Sequence, residues 1–469
     1  MLPKGFPLET FLKYSGLALP RHVSYPMPTA WSDKDGEDYV QKLSETDPNN
    51  PLSIYLHIPF CETLCKFCAC NRVILKKSFP GAEEKKRKYI DALKKELHLF
   101  KEKTQTQRPV MLVHYGGGSP TYLEPEEIAE IQNTITELFN VRPEAEISME
   151  IDPRHADQPL VEMLGRLGFN RISMGIQDFD IQVQEHVHRL QSLEMVKSVT
   201  QSCRDAGLGQ VNFDLIYGMP YQTLETVRDM VEKAISLGPD RVAFYHYAQI
   251  PDKIATQRGM DYTKLPTSEE KLEMFLEACE VFTDNGYDLI GLDHFAKSDD
   301  GLAVAYRNGT IQRNFQGMTT HRGLDLVGFG VSSISHLQGV GYWQSEKEAE
   351  SYEEVVESGK LPQQRGIHFS EDDRIRQSVI ADLYCFGTFD PQKVSEEFGI
   401  DARQYFEKEL RALEELSEDG IVHFREDGVV EATFPLGRVL LRNIGSVFDA
   451  YLDPDAYKVG DKFYFSVSA

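Results

Sequence analysis

Short apolar runs and longer amphipathic stretches alternate along most of the first 300 residues. SIYLHI (53–58), VMLVHY (110–115), AEISMEI (145–151), NRISMGI (170–176), VNFDLIY (211–217) and RVAFYHY (241–247) are mostly apolar, the pattern of strands buried on both faces. Between them, apolar positions recur at helical spacing, as in PEEIAEIQNTITELF (125–139) and TLETVRDMVEKAISLG (223–238). Several of these helices close on a glycine just ahead of the next strand, where a left-handed cap is expected. A seventh strand is predicted at YDLIGLDHF (287–295). Strands and helices in series predict an α/β fold, a partial (β/α)6 TIM-like barrel. Reactive groups then gather at the C-terminal ends of its strands.

The rhythm is absent at both ends. Residues 1–50 are broken by prolines and read as an irregular arm ahead of a barrel domain at 51–360. From 361 to 469, EDDRIRQSVIADLYCFG, PQKVSEEFG and ARQYFEKELRALEELSEDG are helical patterns. GIVHFREDGVVEAT then reads as a hairpin turning at EDG, and LGRVLLRNIGSVFDAYL as a closing helix. Helices followed by a hairpin predict a small C-terminal α+β domain of winged-helix-like form.

Charge narrows the classes of partner. Asp and Glu outnumber Lys and Arg by 74 to 50, a formal net charge of −24. That field argues against nucleic acid and anionic membrane surfaces as partners. Buried arginines can still hold a small anionic substrate at contact distance. No apolar run reaches the roughly 18 residues of a membrane span. The N-terminus lacks a basic start followed by an apolar core, so the expected location is cytoplasmic.

Seven cysteines are present, and four of them crowd between Cys61 and Cys70. Cys203, Cys279 and Cys385 stand alone in apolar surroundings and read as buried small hydrophobes. The crowded group follows the first predicted strand: Cys61, Cys65 and Cys68 form C-x3-C-x2-C. Thiolates on one loop serve either an iron–sulfur cluster or structural zinc. Zinc usually joins two separated pairs of ligands, and no second Cys or His pair is near in sequence. Three cysteines leave one iron of a four-iron cluster open. Cys70 lies too close to Cys68 in sequence to reach that fourth iron easily.

The spacing, with Phe67 just before the last ligand, is similar to the radical-SAM signature. The fuller string YLHIPFCETLCKFCACN (55–71) resembles the oxygen-independent coproporphyrinogen III oxidases (dehydrogenases). The likeness runs from about Pro20 to about Leu452. It implies a barrel of the radical-SAM type, with a [4Fe-4S] cluster on Cys61, Cys65 and Cys68. It also implies two S-adenosylmethionine (SAM) molecules. Gly117, Gly118 and Ser119 of HYGGGSPTYL would line SAM, Ser119 standing where the family usually has Thr. Glu150, Gln177, Arg189, Asp214 and Ala248 match further SAM contacts, as do Tyr55, Phe67 and Ile334. The implied reaction turns two propionates of coproporphyrinogen III into vinyl groups, with Arg189 and Gln316 at the reacting centre. Arg21, Arg189 and Arg313 are candidates to grip the substrate carboxylates. A flavodoxin or ferredoxin would supply electrons to a monomeric enzyme.

Three stretches depart from the family pattern. PRHVSYP replaces PRYTSYP at His22 and Val23, VHR replaces VNR at His188, and RNIGSVFD (442–449) replaces RNICMCFD. These touch the expected handling of substrate rather than of the cluster. A haem chaperone of the same superfamily shares the cysteine triad and glycine triplet, but relatives of that kind lack Cys70 and the PRxxSYP segment. A radical-SAM enzyme that opens haem is the other alternative.

Overall fold

The structure, a computed structural model, describes residues 2–452; residues 453–469, the end of the expected C-terminal segment, lie outside them. The six expected strands form in order: β1 (Leu52–Ile58), β2 (Pro109–Gly117), β3 (Asn140–Ile151), β4 (Arg171–Gln177), β5 (Gln210–Tyr217) and β6 (Arg241–His246). Each pairs parallel with the next. Helices such as Ala82–Thr104, Pro125–Leu138 and Leu224–Ser236 return the chain between strands. Their apolar faces join the strand side chains in one core running from Tyr39 to Leu361. This is the partial barrel that the alternation predicts.

The seventh strand differs. Residues 287–295 do not run straight: they fold into a hairpin of β7 (Tyr287–Ile290) and β8 (His294–Lys297). Gly291 takes φ +57° at the bend, and a Cβ there would lie 2.9 Å from the Tyr384 carbonyl oxygen. The returning β8 pairs antiparallel with β6. Parallel winding stops there, and Asp293 and His294 are placed beside Phe244 and Ala243 in the middle of β6.

The opposite edge is extended by β9 (Asp325–Phe329), which pairs parallel with β1. Then β10 (Ile334–Leu337), β11 (Gly341–Ser345) and β12 (Gln363–His368) follow as an antiparallel meander. Among the described residues these strands and the short Ser32–Asp33 form one thirteen-stranded sheet. Alternating polar residues in this region hid the meander from a search for continuous apolar runs.

The C-terminal part contains helices Glu371–Phe386, Pro391–Phe398 and Glu407–Glu418 and a small three-stranded antiparallel sheet. Its core takes in Phe11 and Tyr25 from the N-terminal arm. His22 is buried there, its ring nitrogens 3.0 Å from the Tyr384 hydroxyl and 2.9 Å from Asp449. The departing His22 therefore meets Asp449, two residues beyond the departing positions 445–447. No helix among the described residues is long and apolar enough to cross a membrane.

Candidate active site

The loop after β1 carries the cysteines and is closed by backbone bonds. Val73 N–H donates to the Pro59 carbonyl and Leu75 N–H to the Cys61 carbonyl, at 2.7 and 2.9 Å. The glycine triplet at the end of β2 lies against it: Gly118 N–H donates to Ile58 and Ser119 N–H to Phe60. A Cβ on Gly118 would sit 2.4 Å from the Pro59 carbonyl oxygen, so no side chain fits between the two loops. Gly116 leaves room for Tyr55 and Glu150, which would lie 3.1 and 2.9 Å from a Cβ there.

Both loops line one cavity of about 420 Å³. Of the expected site residues, the three cysteines, Phe67, Gly117, Gly118, Ser119, Glu150, Gln177, Arg189, Asp214 and Gln316 all reach its wall. Tyr55, Ala248 and Ile334 do not line it. Tyr55 stacks on His114, which lies 3.4 Å from Glu150. Ala248 accepts a hydrogen bond from Gln257, whose amide also donates to the Phe67 carbonyl. Ile334 starts β10, its carbonyl oxygen packed against Gly328, the β9 residue beside Tyr55.

Arg189 ties the cysteine loop to the strand ends. It follows His188, which stands at φ +59° after the short helix Ile181–Val187. Its guanidinium donates to the Gly175 carbonyl, to Asp152 at 3.1 Å and to the Cys65 sulfur at 3.6 Å. Arg154 grips the same carboxylate at 2.6 Å. Burial alone would raise the pKa of Asp152, but Arg189 and Arg154 outweigh it and hold the carboxyl well below the usual range. Asp214 goes the other way: burial and the charge of Glu150 push it up to about 6, against hydrogen bonds from Asn212 and Ser173. Burial also pushes the Cys61 thiol up to about 12, with Cys68 and Cys65 adding to the effect. Among the described residues no three Cys, His, Asp or Glu side chains gather around a single-ion position. The three thiols line the cavity.

The facing wall comes from distant parts of the chain. A hairpin, Gln312–Asn314 with Gly317–Thr319, carries Arg313 and Gln316. Arg313 lies 3.6 Å from Asp293, and its Nε and Nη1 are buried without acceptors. The Gln316 side-chain amide nitrogen is likewise buried and unpartnered. Arg21, from the arm, donates to the His246 carbonyl at 2.6 Å and leaves Nε without a partner. Unsatisfied buried donors are rare in native proteins, and those that line this cavity are free to meet an acceptor on a ligand or a water. Tyr245 and His294 complete this wall.

Sequence reasoning missed Asp152, Arg154, Gln257, Asp293 and His294. Asp152 and Arg154 had a visible signal, since they continue the MEIDPR string after Glu150. The others depend on the turn at Gly291 and on a loop fold that no local pattern announces.

Residues 55–234 match the model of the radical SAM superfamily. The oxygen-independent coproporphyrinogen III oxidase of Synechocystis is 41% identical over 453 residues, covering 95% of this chain and 95% of its own. The enzyme of the same name from Escherichia coli K12 is 38% identical, with 94% and 93% covered. The chain belongs to the oxygen-independent coproporphyrinogen III oxidase family. The solved coproporphyrinogen III oxidase from Escherichia coli, described as a radical SAM enzyme, superposes with a TM-score of 0.86. It is 37% identical and covers 93% of this chain and all of that one.

Membership of the radical SAM superfamily implies a four-iron cluster and SAM, and the residues of this oxidase-family chain fit both. Three thiols on one loop supply soft ligands for three irons. The Gly118 cradle holds the backbone where a side chain would collide. Carboxylates of Glu150 and Asp214 and the guanidinium of Arg189 share the same cavity.

Proposed function

We propose that this protein performs the oxygen-independent oxidative decarboxylation of coproporphyrinogen III to protoporphyrinogen IX in haem biosynthesis. The observation that carries the reading is the joining of two unlike walls in one cavity. One wall bears the cysteine and glycine loops; the other bears buried arginines with unused donors. A cluster held by Cys61, Cys65 and Cys68 together with SAM would supply one-electron radical chemistry able to take a hydrogen atom from the β-carbon of a substrate propionate. Loss of CO2 and of one further electron to an acceptor leaves the vinyl group, and a second round completes the product.

The protein's part is positioning and exclusion of water. Cys61, Cys65 and Cys68 would hold the cluster through three of its irons. Gly117, Gly118 and Ser119 present backbone to the amino-acid end of SAM, and Glu150 offers a carboxylate to its ammonium. Gln177 and Asp214 face the nucleoside end, with Tyr55, Phe67, Ala248 and Ile334 supporting it. Arg189, which donates to the Cys65 sulfur and to Asp152, would stand beside the adenosyl group of SAM and join in holding the substrate carboxylates. Arg21 and Arg313 offer N–H groups to the substrate propionates, where bidentate pairing with carboxylates is strongest. Gln316 faces the reacting carbon with its unpaired amide. Two SAM molecules would occupy the site. A flavodoxin or ferredoxin is the electron donor to a cytoplasmic monomer.

Anaerobic reconstitution followed by incubation with SAM, a reductant and coproporphyrinogen III tests the reading. Protoporphyrinogen IX together with 5′-deoxyadenosine is the expected outcome. Deoxyadenosine without vinyl product would point to the haem-opening chemistry, and tight haem binding without turnover to the chaperone.

A further inference from the structure

A second, smaller cavity of about 50 Å³ lies behind the first, on the far side of Arg21, which lines both. Its charged wall is Arg21, Lys271, Arg438 and Arg442, with Asp293 as the one carboxylate and His246 between them. Asp293 is already engaged, 2.8 Å from the His294 ring and 3.6 Å from Arg313. Lys271 and Arg438 are 8% and 9% exposed. Among the described residues no carboxylate stands within ion-pair distance of Arg21, Lys271 or Arg438. Arg21 Nε and both ring nitrogens of His246 are buried with no hydrogen-bond partner. Arg442 donates to the carbonyls of Pro20 and Leu19.

Lys271 and Arg438 are packed beside Arg21 with Asp293 as the one carboxylate of the wall, and that carboxylate is already engaged by His294 and Arg313. Such an excess of cations is costly, because burial removes their hydration and they repel one another. The cost is visible in the side chains: burial pulls Lys271, Arg438 and Arg21 below their usual pKa. A bound anion would remove that penalty. The cavity has room for a small oxyanion group and not for a macrocycle. Guanidinium and ammonium donors on several sides match the lone pairs of a carboxylate.

We propose that this cavity anchors one carboxylate of the tetrapyrrole substrate, a propionate other than the one being decarboxylated. The inference rests on the function proposed above and extends it to a part of the site that touches no reacting atom. Arg21 stands on the border, so its guanidinium serves the anchor on one side and the reaction cavity on the other. Two of the four propionates survive both rounds, so the anchor keeps a ligand throughout. Binding energy gained at this distance fixes which propionate is presented to the cluster side.

The probe is coproporphyrin III, the oxidised tetracarboxylate, titrated into the reconstituted holoprotein and followed by fluorescence. Inorganic phosphate is the probe for a free anion. Lys271→Met is expected to weaken coproporphyrin binding by roughly tenfold or more, the usual scale for losing a buried charge partner. It should also raise the melting temperature of the unliganded protein, since an unpaired buried cation is gone. Lys271→Glu, which brings its own carboxylate, should weaken binding at least as much, and Lys271→Arg should restore part of it. Unchanged coproporphyrin affinity in Lys271→Met, with a lowered melting temperature, would overturn the proposal and make Lys271 a structural residue. Phosphate binding that depends on Lys271 without competing with coproporphyrin would overturn it in favour of a free anion. A wild-type protein that binds SAM but no coproporphyrin would remove the functional reading itself, and the anchor with it.

Discussion

The two walls of the main cavity are built in opposite ways. On the cluster side, Cys61–Cys68 and Gly116–Ser119 follow adjacent parallel strands and are tied together by backbone hydrogen bonds. On the facing side, Arg21, Asp293, Arg313 and Gln316 come from the arm, a hairpin bend and a separate hairpin, and several of their donors are unused. The first wall is complete in itself, as suits residues that hold a resident cofactor. The second is complete only with an anionic ligand, as suits a substrate that comes and goes. A motif can encode the first; a fold must assemble the second.

Changes to each wall should therefore fail in different ways. The largest effect is expected from Gly118→Ala. Its Cβ would meet the Pro59 carbonyl oxygen at 2.4 Å and push the two loops apart. SAM cleavage should drop by about 100-fold, the scale of a 1 Å misplacement at a reacting centre, with the fold retained by circular dichroism. Next comes Arg313→Met on the facing wall. KM for coproporphyrinogen III should rise by about 30-fold, the cost of losing one partner of a buried carboxylate pair. Deoxyadenosine should then form in excess over vinyl groups. If both products fell in step, the two walls would not be separable.

His22→Phe sharpens the comparison away from the cavity. It removes the buried partner of Asp449 and Tyr384 and should cost about 1–3 kcal/mol in chemical denaturation. The same loss in Asp449→Asn would show that the departing His22 works through its contact with Asp449. Asp214 gives the smallest effect. Its folded pKa of about 6 stands above the ordinary value near 3.8. The folded state therefore binds this proton more tightly, and stability from it is present at low pH and lost as pH rises from about 4 through 6. Asp214→Asn should gain about 1–2 kcal/mol over wild type across that window in the cofactor-free protein. Denaturation midpoints at pH 4.5 and 7 check the sign.

The legibility of the sequence follows the same division. The six parallel strands were readable because burial on both faces demands near-continuous apolar runs, and the cysteine and glycine loops because strand ends place them. The hairpin at 287–297 was not, since its bend rests on one glycine packed against Met318 and Tyr384, residues far along the chain. The meander β9–β12 was hidden by the polar residues on its strands. Arg21 and Arg313 were named from their motifs, yet their unused donors and the company of Lys271 and Arg438 arise only when arm, barrel and C-terminal helices meet. Local pattern identifies the chemistry that a loop can carry; it does not show what that chemistry is brought to face.

The central claim is that the cavity presents a substrate propionate to the radical that the cluster wall generates. The direct measurement uses coproporphyrinogen III deuterated at the β-carbons of its propionates, with the mass of the 5′-deoxyadenosine read after turnover. The account predicts that deoxyadenosine gains one deuterium as vinyl product appears. Deoxyadenosine without deuterium, formed while the substrate is consumed, would contradict it.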